Sequence, residues 1–168
     1  MADTRCQSEC EVWVRGWLSK KFGQGFTEKN IGLTTGGRFK FDAVSDDGTV
    51  LVSISTSRSL MSSGKRGVGK MMKLRGDMLF LALSPKARKI MLFTEPCMYE
   101  ACLREKAKGR TPLDIEFQHV ALPEDLAAKL ASSRECSSRE VRPIHQAVRL
   151  PLAAGSTSST IGGVNGDG

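Results

Sequence analysis

The stretch Phe39-Lys-Phe-Asp-Ala-Val-Ser-Asp-Asp-Gly-Thr-Val-Leu-Val-Ser-Ile-Ser-Thr56 carries most of the topology. It reads as two strands joined by a turn. Phe39, Phe41 and Ala43 alternate with Lys40 and Asp42, and Val50, Val52 and Ile54 alternate with Leu51, Ser53 and Ser55. That is the two-residue period of a pleated strand. Between them, Ser45-Asp46-Asp47-Gly48 offers side chains that bond their own turn and a glycine free to take positive φ, as an antiparallel hairpin requires. Asp42 therefore falls near a strand end, off the face its aromatic neighbours occupy.

Upstream, a first helix is expected from about Glu9 to Phe22, opened by a Ser8–Glu11 capping box. Cys10, Trp13, Val14, Trp17 and Leu18 make its apolar stripe. Gly23 and Gly25 end it. Residues 24–36 read either as a short extra strand or as a loop across the sheet. Downstream, Ser57 to Gly69 is a long loop of Ser, Gly, Lys and Arg, and long loops inside compact domains are commonly functional.

A second helix spans about Lys70 to Leu83, with Met71, Leu74, Met78, Leu79 and Ala82 inward and Pro85 after it. Asp77 interrupts its apolar face, so a partner is expected for it. Lys89–Thr94 is a nearly continuous apolar run, as a strand covered on both faces should be. Strand, helix and strand in that order imply a right-handed crossover and a strand parallel to Val50–Thr56.

Pro96 opens a third helix that ends before Gly109, Ile115 and Phe117 mark a further strand, and Pro123 starts a fourth helix to about Ala131. From Ser132 the composition turns to Ser, Arg, Gly and Thr. The expected organisation is an α/β domain over residues 1–131, a mixed central sheet flanked by helices, with a disordered tail over 132–168. Trp13, Trp17, Phe41, Val52, Met78 and Leu92 are expected in its core.

A chain of 168 residues suits one domain with a real core. No apolar run is long enough to span a bilayer, and the N-terminus lacks an apolar signal segment. Five cysteines without paired spacing read as reduced thiols of a cytoplasmic protein, and no zinc site is legible among them. His119, in phase with Ile115 and Phe117, reads as a core histidine. The net charge of +7 is uneven: residues 58–110 carry 13 Lys/Arg against 4 Asp/Glu, whereas residues 1–57 balance at 7 and 7. A basic middle third either faces a polyanion or solvates exposed helices. Lys65, Arg66, Lys70, Lys73 and Arg75 are the candidate nucleic-acid-binding residues.

The order helix, hairpin, helix, strand, with Phe41-Asp42 at the hairpin, resembles the PD-(D/E)xK, or restriction-endonuclease-like, nucleases over roughly Glu9 to Thr94. In that family a hairpin carboxylate and an acidic-x-Lys triplet on the next strand hold Mg²⁺ and orient a water, since a scissile phosphate needs hard ligands around a divalent ion. The resemblance implies a restriction-endonuclease-like fold, Mg²⁺ if the site is catalytic, and nucleic acid, DNA in the first place, as partner. It makes Asp42 and Glu11 candidate metal ligands, and Asp42, Glu11 and Lys70 candidate catalytic residues, with Lys65, Lys70 or Lys73 replacing the missing lysine from the loop or the second helix. Ser53-Ile54-Ser55 stands where the triplet is expected, so neither the second carboxylate nor the lysine is in place.

The resulting expectation is a DNA-associated protein with a degenerate or rearranged nuclease site and weak or no cleavage. If it is an enzyme, it is a metal-dependent phosphodiesterase. A protein-interaction domain working through the third helix and the tail is the alternative. Gly64-Lys-Arg-Gly-Val-Gly69-Lys70 also fits the phosphate-cradling G-x-x-x-x-G-K pattern, but Met71 occupies the hydroxyl position and the preceding strand ends too early.

Overall fold

Cys10, Val14 and Leu18, one turn apart, bury one face of α1 (Thr4–Phe22) in a computed structural model that describes residues 4–60, 67–85 and 87–140. Five strands follow: β1 (Phe26–Gly32), β2 (Arg38–Ser45), β3 (Val50–Ser55), β4 (Arg88–Phe93) and β5 (Ile115–His119). The helices α2 (Val68–Leu83), α3 (Pro96–Ala107) and α4 (Glu124–Glu140) complete the described residues. The sheet keeps the sequence order β1-β2-β3-β4-β5. Its first three strands form an antiparallel meander, and β4 and β5 join parallel to β3. Among the described residues this is an α/β fold, a five-stranded mixed sheet flanked by four helices.

The turn forms as its residues dictate. Gly48 takes φ 72° and its N–H donates to Ser45 O at 2.9 Å. Asp47 accepts from the Ser45 hydroxyl and from the N–H and hydroxyl of Thr49. Those donors hold its carboxyl down at a pKa of about 2.

Both faces of β3 are covered, which is why all six of its residues are buried. Leu74, Met78 and Leu81 of α2 and Met98 and Cys102 of α3 pack on Phe41, Leu51, Met91 and Phe93. On the opposite face, Val14 and Leu18 of α1 pack on Ala43, Val50, Val52, Ile54, Ile90 and Leu92. The α4 helix lies against α1. Arg88 forks onto Glu116 at 2.7 and 2.8 Å, tying β4 to β5 at the start of the parallel pair.

Several expectations change. Residues 26–32 form a strand, resolving the strand-or-loop ambiguity in favour of β1. The first helix begins at Thr4, so Ser8 lies within it and the Ser8–Glu11 capping box does not form. A helix running through Ser8 already uses those N–H groups in its own ladder. Phe41, Val52, Met78 and Leu92 are buried, but Trp13 and Trp17 are half-buried on the flank of the Val14–Leu18 stripe, with Lys21 Nζ 4.6 Å from the Trp17 ring. In α2, Leu81 takes the core place expected of Leu79, which is 54% exposed, because Leu74, Met78 and Leu81 define the inward stripe. His119 is exposed and stacks on Tyr99.

The fourth helix runs past Ala131 to Glu140. No Gly or Pro interrupts it, and Arg134 fastens it to Glu95 at 2.8 Å and to Thr56 O. The rest of the expected tail, residues 141–168, lies outside the described residues, as do Lys65 and Arg66. No described helix is long and apolar enough to cross a membrane.

Candidate functional site

A slip in strand register builds the site. Thr27 pairs with Val44 and Lys29 with Phe41, so Glu28 of β1 stands opposite two residues of β2, Asp42 and Ala43. Such a bulge bends a strand and re-aims a side chain. Here it changes the phase of β2: Phe39 and Phe41 pack toward α2, whereas Ala43 packs toward α1. The carbonyl of Asp42 accepts a hydrogen bond from Arg15 Nη1 of α1 at 2.9 Å. Beyond the bulge, β2 and β3 part, their paired residues being Ala43 with Val52 and Val44 with Leu51.

Side chains close both ends of this short ladder. The Ser45 hydroxyl accepts from Val50 N–H at 2.9 Å, and Asp42 Oδ2 accepts from Ile54 N–H at 2.7 Å. Asp42 lies in the middle of β2 rather than near its end, and its side chain accepts where the β2–β3 pairing stops. The same contact presents its carboxylate at the opening between β2 and β3.

Glu11 stands on α1 one turn before Arg15, half-buried. With the capping box gone, helix-end chemistry does not explain it. Burial raises its pKa, and the charge of Asp42 raises it further, against the pull of Arg15 and Lys73. Asp42 is likewise raised, first by burial and then by Asp77, while the Ile54 N–H and Lys73 oppose the shift. Residues from α1, β2 and α2 therefore share one electrostatic neighbourhood. Glu28 belongs to its rim, bonded to Arg15 at 3.4 Å and paired with Lys40.

The expected cations divide. Lys73, not Lys70, is the α2 lysine whose charge acts on both Glu11 and Asp42. It is ion-paired with Asp77 at 2.9 Å, the partner that Asp77 needed. Lys70, one turn earlier, sits among Arg58, Cys97, Glu95 and Arg134 at the far end of β3; burial and the nearby arginines lower its pKa. Arg75 lies on the other flank of α2 and bonds Glu105 of α3 at 3.1 Å. The candidate phosphate-binding residues among the described ones thus occupy two flanks of α2. For the G-x-x-x-x-G-K pattern, the Gly67 N–H that a phosphate would require already donates to Ser59 O at 3.0 Å.

Ser53 and Ser55 are buried in β3 at 2% and 6% exposure, where the resemblance expects a carboxylate and a lysine. With Asp42 committed to a backbone N–H, Asp77 paired with Lys73, and Glu28 paired with Arg15 and Lys40, the carboxylates here fall short of the oxygen set that Mg²⁺ demands. Among the described residues no three His, Cys, Asp or Glu side chains are grouped to hold a metal ion. The residues present do not fit the family's metal set. What the arrangement does supply is two half-buried carboxylates, Glu11 on α1 and Asp42 on β2, each with its pKa raised.

Sequence reasoning missed Arg15, Glu28 and Asp77 as members of this neighbourhood. Arg15 follows Glu11 by four residues on α1, and Asp77 follows Lys73 by four on α2, so each extends a helical flank already in view. Glu28 has no such signal, since only the bulge brings it opposite Asp42. Comparison of the chain with family models, curated proteins and solved structures returns no match.

Proposed function

We infer that this chain is a nucleic-acid-associated protein, with DNA as its partner, on a restriction-endonuclease-like architecture whose nuclease site is degenerate and cleaves weakly or not at all. The observation that carries this reading is the charge of Asp42 on β2 acting on Glu11 of α1, with Asp42 held where the β2–β3 pairing stops. The element order and the parallel β3–β4 pair support it, as does Lys73 within reach of the same charges. Ser53 and Ser55 support the degenerate reading. A hydroxyl brings neither the full negative charge that draws a divalent ion nor the positive charge that would steady a developing pentavalent phosphate. Lys70 on the same helix, and Lys65 and Arg66 by sequence, supply cations for phosphate contacts.

The test has two arms. Plasmid and single-stranded DNA are incubated with Mg²⁺ or Mn²⁺, wild type against Asp42→Ala; no turnover is expected. Robust cleavage that Asp42→Ala abolishes would replace the degenerate site by an active one. In the second arm, filter binding is measured at two ionic strengths for wild type and for Lys70→Glu/Lys73→Glu. Binding should weaken steeply with salt as counterion release is lost, and weaken again in the variant. Absent or salt-indifferent binding would reduce the basic third to a solvated surface.

A further inference from the structure

The outer surface between α2 and α3 holds a groove of about 380 Å³ that the carboxylate pair does not use. Its floor is apolar. Leu60, Val68, Met71 and Met72 line it, and Val68 and Met72 are 70% and 58% exposed. Val68 and Met72 belong with Leu79 to a second stripe on α2, at i, i+4 and i+11, turned away from the core stripe Leu74–Met78–Leu81. One stripe is enough to hold α2 on the sheet. The second has no covering element among the described residues.

The rim is basic. Arg75, Arg104, Lys108 and Arg110 line it with one carboxylate, Glu105; Arg75 and Arg110 engage Glu105 at 3.1 and 3.7 Å, and Arg104 reaches Glu100 outside the groove at 4.0 Å. An apolar floor with a cationic rim sets the chemistry of its occupant. Phosphates of a nucleic acid would satisfy the rim but leave Val68 and Met72 facing anions. An amphipathic helix with acidic flanks satisfies both, laying apolar anchors on the floor and carboxylates against the rim. Methionines suit such a floor, because their unbranched side chains repack around different anchors. The chain's own residues 141–168 lack the complementary charge, carrying Arg142 and Arg149 against one acid, Asp167.

We propose that the α2–α3 groove docks an acidic amphipathic helix of a partner protein. This surface is distinct from the Glu11–Asp42 site and stands or falls without it.

The test is fluorescence anisotropy on the full chain with labelled peptides of about 18 residues, long enough to form a helix. One peptide carries Leu and Phe at i, i+3, i+4 and i+7 with Glu elsewhere. A second replaces every Glu by Lys, and a third has the sequence of residues 141–156. A DNA duplex of similar size is the fourth probe. The acidic peptide should bind and the Lys peptide should not. Met72→Glu and Arg104→Glu, both at exposed positions, should each weaken binding by about tenfold or more, with melting temperatures confirming that both variants fold. Failure of the acidic peptide to bind, or equal binding of the Lys peptide, overturns the proposal. So does binding of the 141–156 peptide that Met72→Glu removes, which would make the chain's own segment the occupant. A loss of duplex binding in Met72→Glu, without peptide binding, would assign the groove to nucleic acid instead.

Discussion

Replacing Asp42 by alanine and by asparagine separates the two things its carboxylate does. Asp42 Oδ2 is the acceptor for Ile54 N–H at 2.7 Å, and Ile54 is only 5% exposed. Alanine removes that acceptor and strands a buried donor, which costs about 1–3 kcal/mol. Asparagine keeps an acceptor oxygen in the same place and removes only the charge. That charge is disfavoured in the folded protein, since burial and then Asp77 raise the Asp42 pKa above its ordinary 3.8. At neutral pH the asparagine variant should therefore melt at or above wild type. The alanine variant should fall below asparagine by about 1–3 kcal/mol, or roughly 2–12 °C for a chain of this length.

The pH dependence follows from the sign of the shift. A carboxylate raised in the folded state destabilises it once ionised, so the penalty is absent where both states are protonated and grows as pH rises through the folded pKa. The advantage of Asp42→Asn over wild type should shrink as pH falls below the ordinary carboxylate value and be largest at neutral pH. Thermal melts and urea titrations at several pH values measure both effects. Equal destabilisation by alanine and asparagine at neutral pH would refute the assignment of the Ile54 contact. A wild type more stable than Asp42→Asn would refute the claim that the charge is disfavoured.

Glu11→Gln should likewise raise the melting temperature at neutral pH, the gain vanishing as pH falls below the ordinary glutamate value of 4.5. Combined with Asp42→Asn, the gains should be less than additive, because the Asp42 charge is among the causes that raise the Glu11 pKa. Asp47 has the opposite sign. Its stabilising contribution is present above the ordinary 3.8 and lost as pH falls toward its folded pKa of about 2, so wild type should lose stability across that window more steeply than Asp47→Asn. Trp17→Ala should cost less than the about 3–5 kcal/mol of a fully buried tryptophan, as its ring is only half-buried; a loss in that full range by urea denaturation would place it in the core.

The hairpin, the helix that follows it and the parallel strand after that helix are legible in the chain itself. Period-two alternation, Asp-Asp-Gly in the turn and a 3.6-residue stripe on α2 are local properties, and the crossover rule converts their order into a strand arrangement. Phe41, Val52, Met78 and Leu92 are buried for the same reason: position within a local pattern determines which face they present. Asp42 and Glu11 could be named as candidates, but their meeting could not be read. It depends on the bulge opposite Glu28, and a register slip arises from how two strands pair rather than from the residues of either one. The choice of Lys73 over Lys70 likewise depends on where α2 lies along β3, whereas the opposite flanks of Lys73 and Arg75 follow from their two-residue spacing on a helix. The helix beyond Ala131 was hidden because serines are weak helix formers alone; contacts of Arg134 with Glu95 and Thr56, far away in the chain, hold it. Local pattern sets which elements exist and which face of each turns inward. Their mutual register, and so which charges share a site, is set by contacts between residues distant in sequence, and these form only when the chain folds.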